Sequence, residues 1–168
     1  DILIIAADRE RALRTVILRK PILCRDSMTG MPHPETVDLS MGDHTITGCG
    51  GDPWSLLAGR TWVVEDIAGG GVIDNARATM GFDGAGRVYG SGSCNRYNGP
   101  ATLTGETLSF GAMASTSMAC PEALMTQERR FFEALAEVSG FDIDETGALI
   151  LRGPGGPLVL ARAATDGS

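Results

Sequence analysis

Apolar and polar residues take turns in short runs along most of the chain, and these runs predict strands. Ile2–Ala6 and Leu13–Leu18 are rich in aliphatic and β-branched residues, with Asp8-Arg9-Glu10-Arg11 as a polar turn between them. Thr36–Ser40 and His44–Cys49 alternate as the arms of a hairpin that turns at Gly42-Asp43. The intervening stretch from Arg25 to Pro34 holds two prolines and one glycine and reads as a loop.

Gly50-Gly51-Asp52-Pro53 is the best candidate linker. Asp52 suits a helix cap and Pro53 a first turn, so Trp54–Ala58 is expected to form a short helical turn that Gly59 ends. Strands resume at Thr61–Ile67, which Gly69-Gly70-Gly71 breaks. Ala78–Phe82 and Arg87–Gly90 flank the turn Asp83–Gly86. Ala101–Thr104 and Thr107–Phe110 flank Gly105-Glu106. One helix follows. Pro121 suits its start and Glu122 complements the positive end of the dipole. Leu124, Phe131, Leu135 and Val138 form its apolar stripe, Gln127, Arg130 and Glu137 its exposed face, and Gly140 its stop. Phe141–Asp144 and Ala148–Leu151 join at Thr146-Gly147. Gly153–Gly156 turns the chain into Leu158–Ala161, and the last few residues are expected to fray. Strands around a single helix make the fold class α+β. The expected division is a partial N-terminal β segment over 1–52, a linker or helical turn over 53–59, and a second domain over 60–163.

Composition narrows the class. The chain has 168 residues, 43% of them hydrophobic but only 5% aromatic, so its core must be mainly aliphatic. Its 23 glycines favour a turn-rich, β-rich architecture. A net charge of −7 gains nothing from phosphate counterion release, which argues against nucleic acid as a partner. No basic run points to an anionic membrane surface, and no stretch approaches the roughly 18 apolar residues a transmembrane helix needs. Asp1–Ala6 reads as a strand already under way, so a processed or partial chain is expected.

Four cysteines, Cys24, Cys49, Cys94 and Cys120, allow three pairings. Pairing by neighbours gives Cys24–Cys49 and Cys94–Cys120, one bridge for each half. Zinc is disfavoured because no close cysteine pair exists and His33 and His44 lack the spacing of ligands. A cysteine nucleophile with a histidine base is a further alternative. Disulfides fit best and imply an oxidising compartment.

Gly90–Gly99, containing Cys94-Asn95-Arg96-Tyr97, resembles the G-x-x-x-CN-R-[YF]-x-G signature of the META domain, the family of the heat-shock protein HslJ. Ser115–Pro121 resembles its T-x-MACP signature, Trp62 sits in its first strand, and Glu128 with Phe131-Phe132 and Leu135 matches its helix. The resemblance covers about residues 57–163. Cys24–Pro32 and Gly48–Gly51 are similar to a segment that precedes META domains in bacterial envelope proteins or lipoproteins. The resemblance implies an antiparallel β-rich domain and an exported location in the periplasm or outer envelope. Some members of the family are linked to stress or motility. It also implies that residues 2–18 have lost a strand partner. It brings no enzymatic activity and no cofactor.

In structural terms, a Cys94–Cys120 bridge would tie a central strand to the helix entrance. Asn95 suits a tight bend with αL geometry, and Arg96 suits pairing with a carboxylate or stacking on an aromatic ring. Gly84–Gly90 has the wrong spacing and context for a dinucleotide loop. Asp142–Gly147 begins like a calcium loop, but its twelfth position falls on Gly153, so strand–turn–strand is expected. Ser27 and Ser91 lack a nucleophile-elbow context. The candidate binding surface comprises Arg25, Asp26, Ser27, Met28 and Met31 in the loop, where methionines make adaptable contacts, together with Asn95 and Arg96. The function expected is a non-enzymatic envelope binding or assembly module, with another envelope protein as partner. Inhibition of an envelope hydrolase through the 25–34 loop is the alternative, and a cysteine-dependent enzyme a more distant one.

Overall fold

The structure, a computed structural model, describes residues 1–8, 10 and 13–165. Arg9 and Arg11 of the expected first turn, and the terminal residues expected to fray, lie outside the described residues. The chain divides into two compact units, Asp1–Leu56 and Leu57–Ser168.

The first unit holds β1 (Ile2–Asp8), β2 (Leu13–Lys20), β3 (Cys24–Arg25), β4 (Pro32–His33), β5 (Glu35–Met41) and β6 (His44–Gly50), followed by a 3-10 turn at Pro53–Leu56. An antiparallel sheet runs in the order β1-β2-β5-β6. Gly42 takes a φ of 58° at the expected β5–β6 turn, a conformation L residues avoid. Arg19 grips Glu35 through Nε and Nη2, and Lys20 Nζ meets Asp38 at 2.6 Å, so β2 and β5 are also tied by charge. The Cys24–Cys49 disulfide fastens β3 to β6. Along its outer edge β1 pairs with no strand among the described residues, and Ile2, Leu3, Ile4 and Ile5 are 45–58% exposed. Asp52 Oδ1 accepts the Trp54 N–H at 2.9 Å, which starts the 3-10 turn as the sequence suggests.

The second unit carries β7 (Thr61–Ile67), β8 (Thr79–Phe82), β9 (Arg87–Ser91), β10 (Arg96–Leu103), β11 (Leu108–Phe110), β12 (Ala114–Ser115), α1 (Glu122–Ala136), β13 (Gly140–Ile143), β14 (Leu149–Gly153) and β15 (Gly156–Ala163). Antiparallel pairing runs β11-β10-β9-β8-β7-β15-β14-β13, with β12 beside β10. The two ends of this sheet approach where the Leu108 N–H donates to the Ser139 carbonyl at 3.2 Å, so it curls into a near-barrel. Period-two alternation sends Tyr97, Gly99 and Ala101 of β10 inward and Arg96, Asn98 and Pro100 outward. In β7, Trp62, Val64 and Ile67 are buried. The step of three follows a bulge, because Val64 faces Ala161 while Asp66 faces Leu160, leaving Glu65 as the extra residue. Phe131, Ala134 and Leu135 of α1 join this interior. Tyr97 meets Phe131 and Phe132 edge-on, at centroid distances of 5.7 and 5.3 Å.

Three expectations need correction. The helix ends at Ala136, ahead of Gly140, which instead opens β13. Val138 is already buried there, and the Ser139 N–H already donates to Arg152 O in the sheet. Gln127, assigned to the exposed face, is only 1% exposed. The loop expected over 25–34 is bounded by a two-residue ladder, Cys24 opposite His33 and Arg25 opposite Pro32.

Candidate functional site

A buried polar knot occupies the stretch that joins β9 to β10. Ser93 takes a φ of 98°, and the chain doubles back so that the Gly92 N–H donates to Asn95 O at 2.8 Å. This turn presents the N–H groups of Cys94 and Asn95 to one oxygen of Glu128, at 3.1 and 2.7 Å. The other Glu128 oxygen accepts Asn95 Nδ2 at 2.8 Å. Asn95 Oδ1 then accepts the Met118 N–H at 2.6 Å and the Thr116 hydroxyl at 3.0 Å. Asn95 thus links the turn, the segment before the helix, and α1. The Cys94–Cys120 disulfide closes the same triangle covalently. Glu128 and Asn95 are each 7% exposed, so both are satisfied inside the protein rather than offered to a ligand. The αL-type residue of the bend is Ser93, not Asn95 as the sequence suggests.

Gly92 makes the knot possible, since a Cβ there would stand 2.6 Å from Glu128 Oε2. Next to Glu128 on α1, Gln127 Oε1 accepts the Ile73 N–H at 2.7 Å, and its Nε2 donates to Ser93 Oγ at 2.9 Å. Arg130 Nη2 donates to Ile67 O at 2.8 Å. The polar residues on this side of the helix therefore hold loops in place.

The outer face of β7–β10 is built differently. Register places Thr61 opposite Gly81, Gly81 opposite Tyr89, and Tyr89 opposite Asn98, a single row across four strands. Ser91 lies opposite Arg96 in the neighbouring row, and Thr79 Oγ1 accepts the Ser91 N–H at 3.1 Å. These residues line an open cleft of about 500 Å³. The Tyr89 ring lies across Gly81, where a Cβ would stand 2.7 Å from its Cζ, yet the residue stays 49% exposed. Asn98 Oδ1 accepts from Arg87 Nη2. The exposed Arg96 guanidinium has no ion-pair or hydrogen-bond partner among the described residues. Beneath the cleft, the Tyr97 hydroxyl donates to Thr79 O at 2.8 Å, and burial pushes that phenol's pKa up.

The 25–34 loop is cross-braced at its tip by Asp26. Asp26 Oδ1 accepts the N–H groups of Met28 and Thr29, both at 2.9 Å, and Asp26 O accepts the Gly30 N–H. Hydrogen bonds from the Thr29 and Met28 backbone and the Thr29 hydroxyl hold the Asp26 carboxyl below its ordinary pKa. Met28 is 92% exposed at the apex, whereas Met31 is 3% exposed and belongs to the unit's interior. Arg25 and Ser27 are exposed beside Met28. All four cysteines are joined in disulfides, so Cys24 offers no thiolate to His33, whose Nδ1 lies 3.2 Å from Gly51 O.

Of the residues singled out in the sequence, Ser27 and Met28 lie at one loop tip and Arg25 in the ladder at its base, while Arg96 lies on the cleft of the second unit and Asn95 inside the knot. Tyr89, Gly81 and Asn98 of the cleft were missed. The sequence signal for Tyr89 and Gly81 was the pair of strands flanking Asp83–Gly86, whose register sets them opposite each other, and Asn98 fell within the Gly90–Gly99 stretch.

Residues 55–165 match the family model of the META domain. An NMR structure of a protein from Burkholderia xenovorans is similar at 23% identity and a TM-score of 0.54, covering 73% of this chain and 95% of that one. A second NMR structure has 26% identity and a TM-score of 0.49, with 66% and 94% covered. The first likeness concerns the fold. No curated protein matches the chain.

Proposed function

The chain belongs to the META domain family, and on that premise we propose that it is a non-catalytic binding or assembly module of the bacterial cell envelope. The observation that carries this reading is the closure of all four cysteines into two disulfides, one in each unit. Such bridges suit an oxidising, extracytoplasmic environment. The buried Glu128, Asn95 and Gln127 support it as well, because their polar atoms hold the fold together and leave recognition to outward-facing side chains. No helix among the described residues is long and apolar enough to cross a membrane.

The test is thiol counting on protein exported by a bacterial host, combined with cell fractionation. Alkylation before reduction should label no cysteine, and alkylation after reduction should label all four. The protein should be recovered from the envelope or periplasmic fraction. Free thiols in the exported protein, or folding that proceeds equally well with every cysteine reduced in the cytosol, would sink the assignment.

A second reading has its own observation. The 25–34 tip is pre-organised by Asp26 and presents Met28 almost fully exposed, as a loop that plugs the active site of an envelope hydrolase would. Undiminished turnover of lysozyme-type hydrolases in the presence of the protein would dispose of it.

A further inference from the structure

We propose that the cleft on the outer face of β7–β10 binds an acidic saccharide, a pyranose carrying a carboxylate. This rests on the reading of the chain as an envelope binding module and names the ligand class of that module. The cleft has what a sugar needs. The C–H face of a pyranose packs on an exposed aromatic ring, and Tyr89 provides one whose far side is held against Gly81. Fixing the ring in advance removes the ordering cost that a free side chain would meet on binding. Around it stand Asn98, Ser91 and Thr61, whose amide and hydroxyl groups can donate to and accept from sugar hydroxyls.

Charge selects an acid. The protein carries a net charge of −7, yet no carboxylate lines this cleft among the described residues. Arg96 stands at its rim with its guanidinium unpaired, and Arg87 is anchored next door on Asn98. A planar guanidinium receives a carboxylate through two parallel hydrogen bonds, which a neutral sugar cannot supply. The Tyr89–Arg96 arrangement thus reads one ring face and one charge.

Titration of the ¹⁵N-labelled full chain tests this, with trigalacturonate and with the N-acetylglucosaminyl–N-acetylmuramic acid disaccharide. Their neutral counterparts are the trigalacturonate methyl ester and chitobiose. Saturable shifts at residues 79–81, 89–91 and 96–98 are expected with at least one acidic glycan, with binding about tenfold or more weaker for its neutral counterpart. Tyr89→Ala and Arg96→Gln should each weaken binding by a similar factor, while Tyr89→Phe keeps it. Both residues are exposed enough for the variants to fold, which unchanged thermal melting checks. The proposal is overturned if neither acidic glycan gives saturable shifts into the millimolar range. It is equally overturned if neutral sugars bind as well, or if Tyr89→Ala leaves binding intact. Such a failure removes the ligand class alone, because thiol state and cell fraction test the envelope reading separately.

Discussion

Replacing Glu128 with alanine probes the centre of the second unit. The carboxylate is nearly sealed from water and accepts three hydrogen bonds, from Cys94 N–H, Asn95 N–H and Asn95 Nδ2. Hydrogen bonds to a charged group are each worth about 1.5–3 kcal/mol net, and a donor left buried without a partner costs about 1–3 kcal/mol. These terms overlap, because Asn95 contributes two of the three donors. A loss of about 3–5 kcal/mol is therefore expected, because three donors, two of them on one residue, lose their acceptor inside the protein. Glutamine is a graded control. Its single oxygen, placed toward the backbone, keeps both N–H donors, but its amide then faces Asn95 Nδ2. Asn95 is held against flipping because its Oδ1 already accepts from Met118 and Thr116. Glu128→Gln should cost about 1–3 kcal/mol, less than alanine. Urea denaturation followed by the fluorescence of buried Trp62 reads both variants as midpoint shifts at constant slope. A shift below about 1 kcal/mol for Glu128→Ala, or equal losses for the two variants, would refute the assignment of Glu128 as the acceptor that holds the turn to the helix.

Other outcomes follow from the same geometry. Gly92→Ala places a methyl against Glu128 Oε2 and should cost about 1–3 kcal/mol in the same assay. Replacing Cys94 and Cys120 together by alanine releases a crosslink with a sequence separation of 26, and should lower stability by about 3–4 kcal/mol, measured against the oxidised parent. Asp26 has a folded pKa below its ordinary value of 3.8, so its contribution is complete above that value and is lost as pH falls through the folded pKa. The amide signals of Met28 and Thr29 should therefore titrate together with a midpoint below 3.8, in an NMR titration. The open β1 edge with its exposed Ile2–Ile5 is expected to drive concentration-dependent self-association in sedimentation velocity, and Ile4→Lys, which puts a charge on that strand, to reduce it.

Hairpins were legible because each carries its own turn chemistry between alternating arms. Asp83 caps its turn by accepting from Ala85 and Arg87, and Asp144 does the same for Thr146 and Ala148. Both lie where the sequence places a reversal. The start of β10 was not legible. Arg96–Pro100 contains asparagine, glycine and proline, all poor strand formers, and is held extended by β9 along its whole length and by β12 at Tyr97 and Asn98. Gln127 misled for a related reason. Its polarity predicts exposure, but the Ile73 and Ser93 groups that satisfy it come from 54 and 34 residues away. The partners of Glu128 are equally remote, so a spacing rule could mark the residue but not its job.

The stretch Asn95–Gly99 shows why adjacency in a motif is a poor guide to shared function. A strand sends successive side chains to opposite faces, so neighbours in sequence are separated by the thickness of the sheet. Tyr97 and Gly99 point into the near-barrel, and Asn95, just before the strand, closes the knot. Arg96 and Asn98 point outward, Asn98 onto the row that holds Tyr89 and Gly81 and Arg96 onto the neighbouring row with Ser91. Substitutions in the first set should act on stability and those in the second on recognition. The two effects should be nearly additive, because the knot reaches Arg96 only through its backbone N–H, which Thr116 Oγ1 accepts, and a side-chain substitution leaves that bond in place. A double variant combining Glu128→Gln with Arg96→Gln should thus lose stability by the Glu128→Gln amount alone. A larger loss would mean that Arg96 helps to hold the fold, and would remove the ground for treating it as a free cation at the cleft.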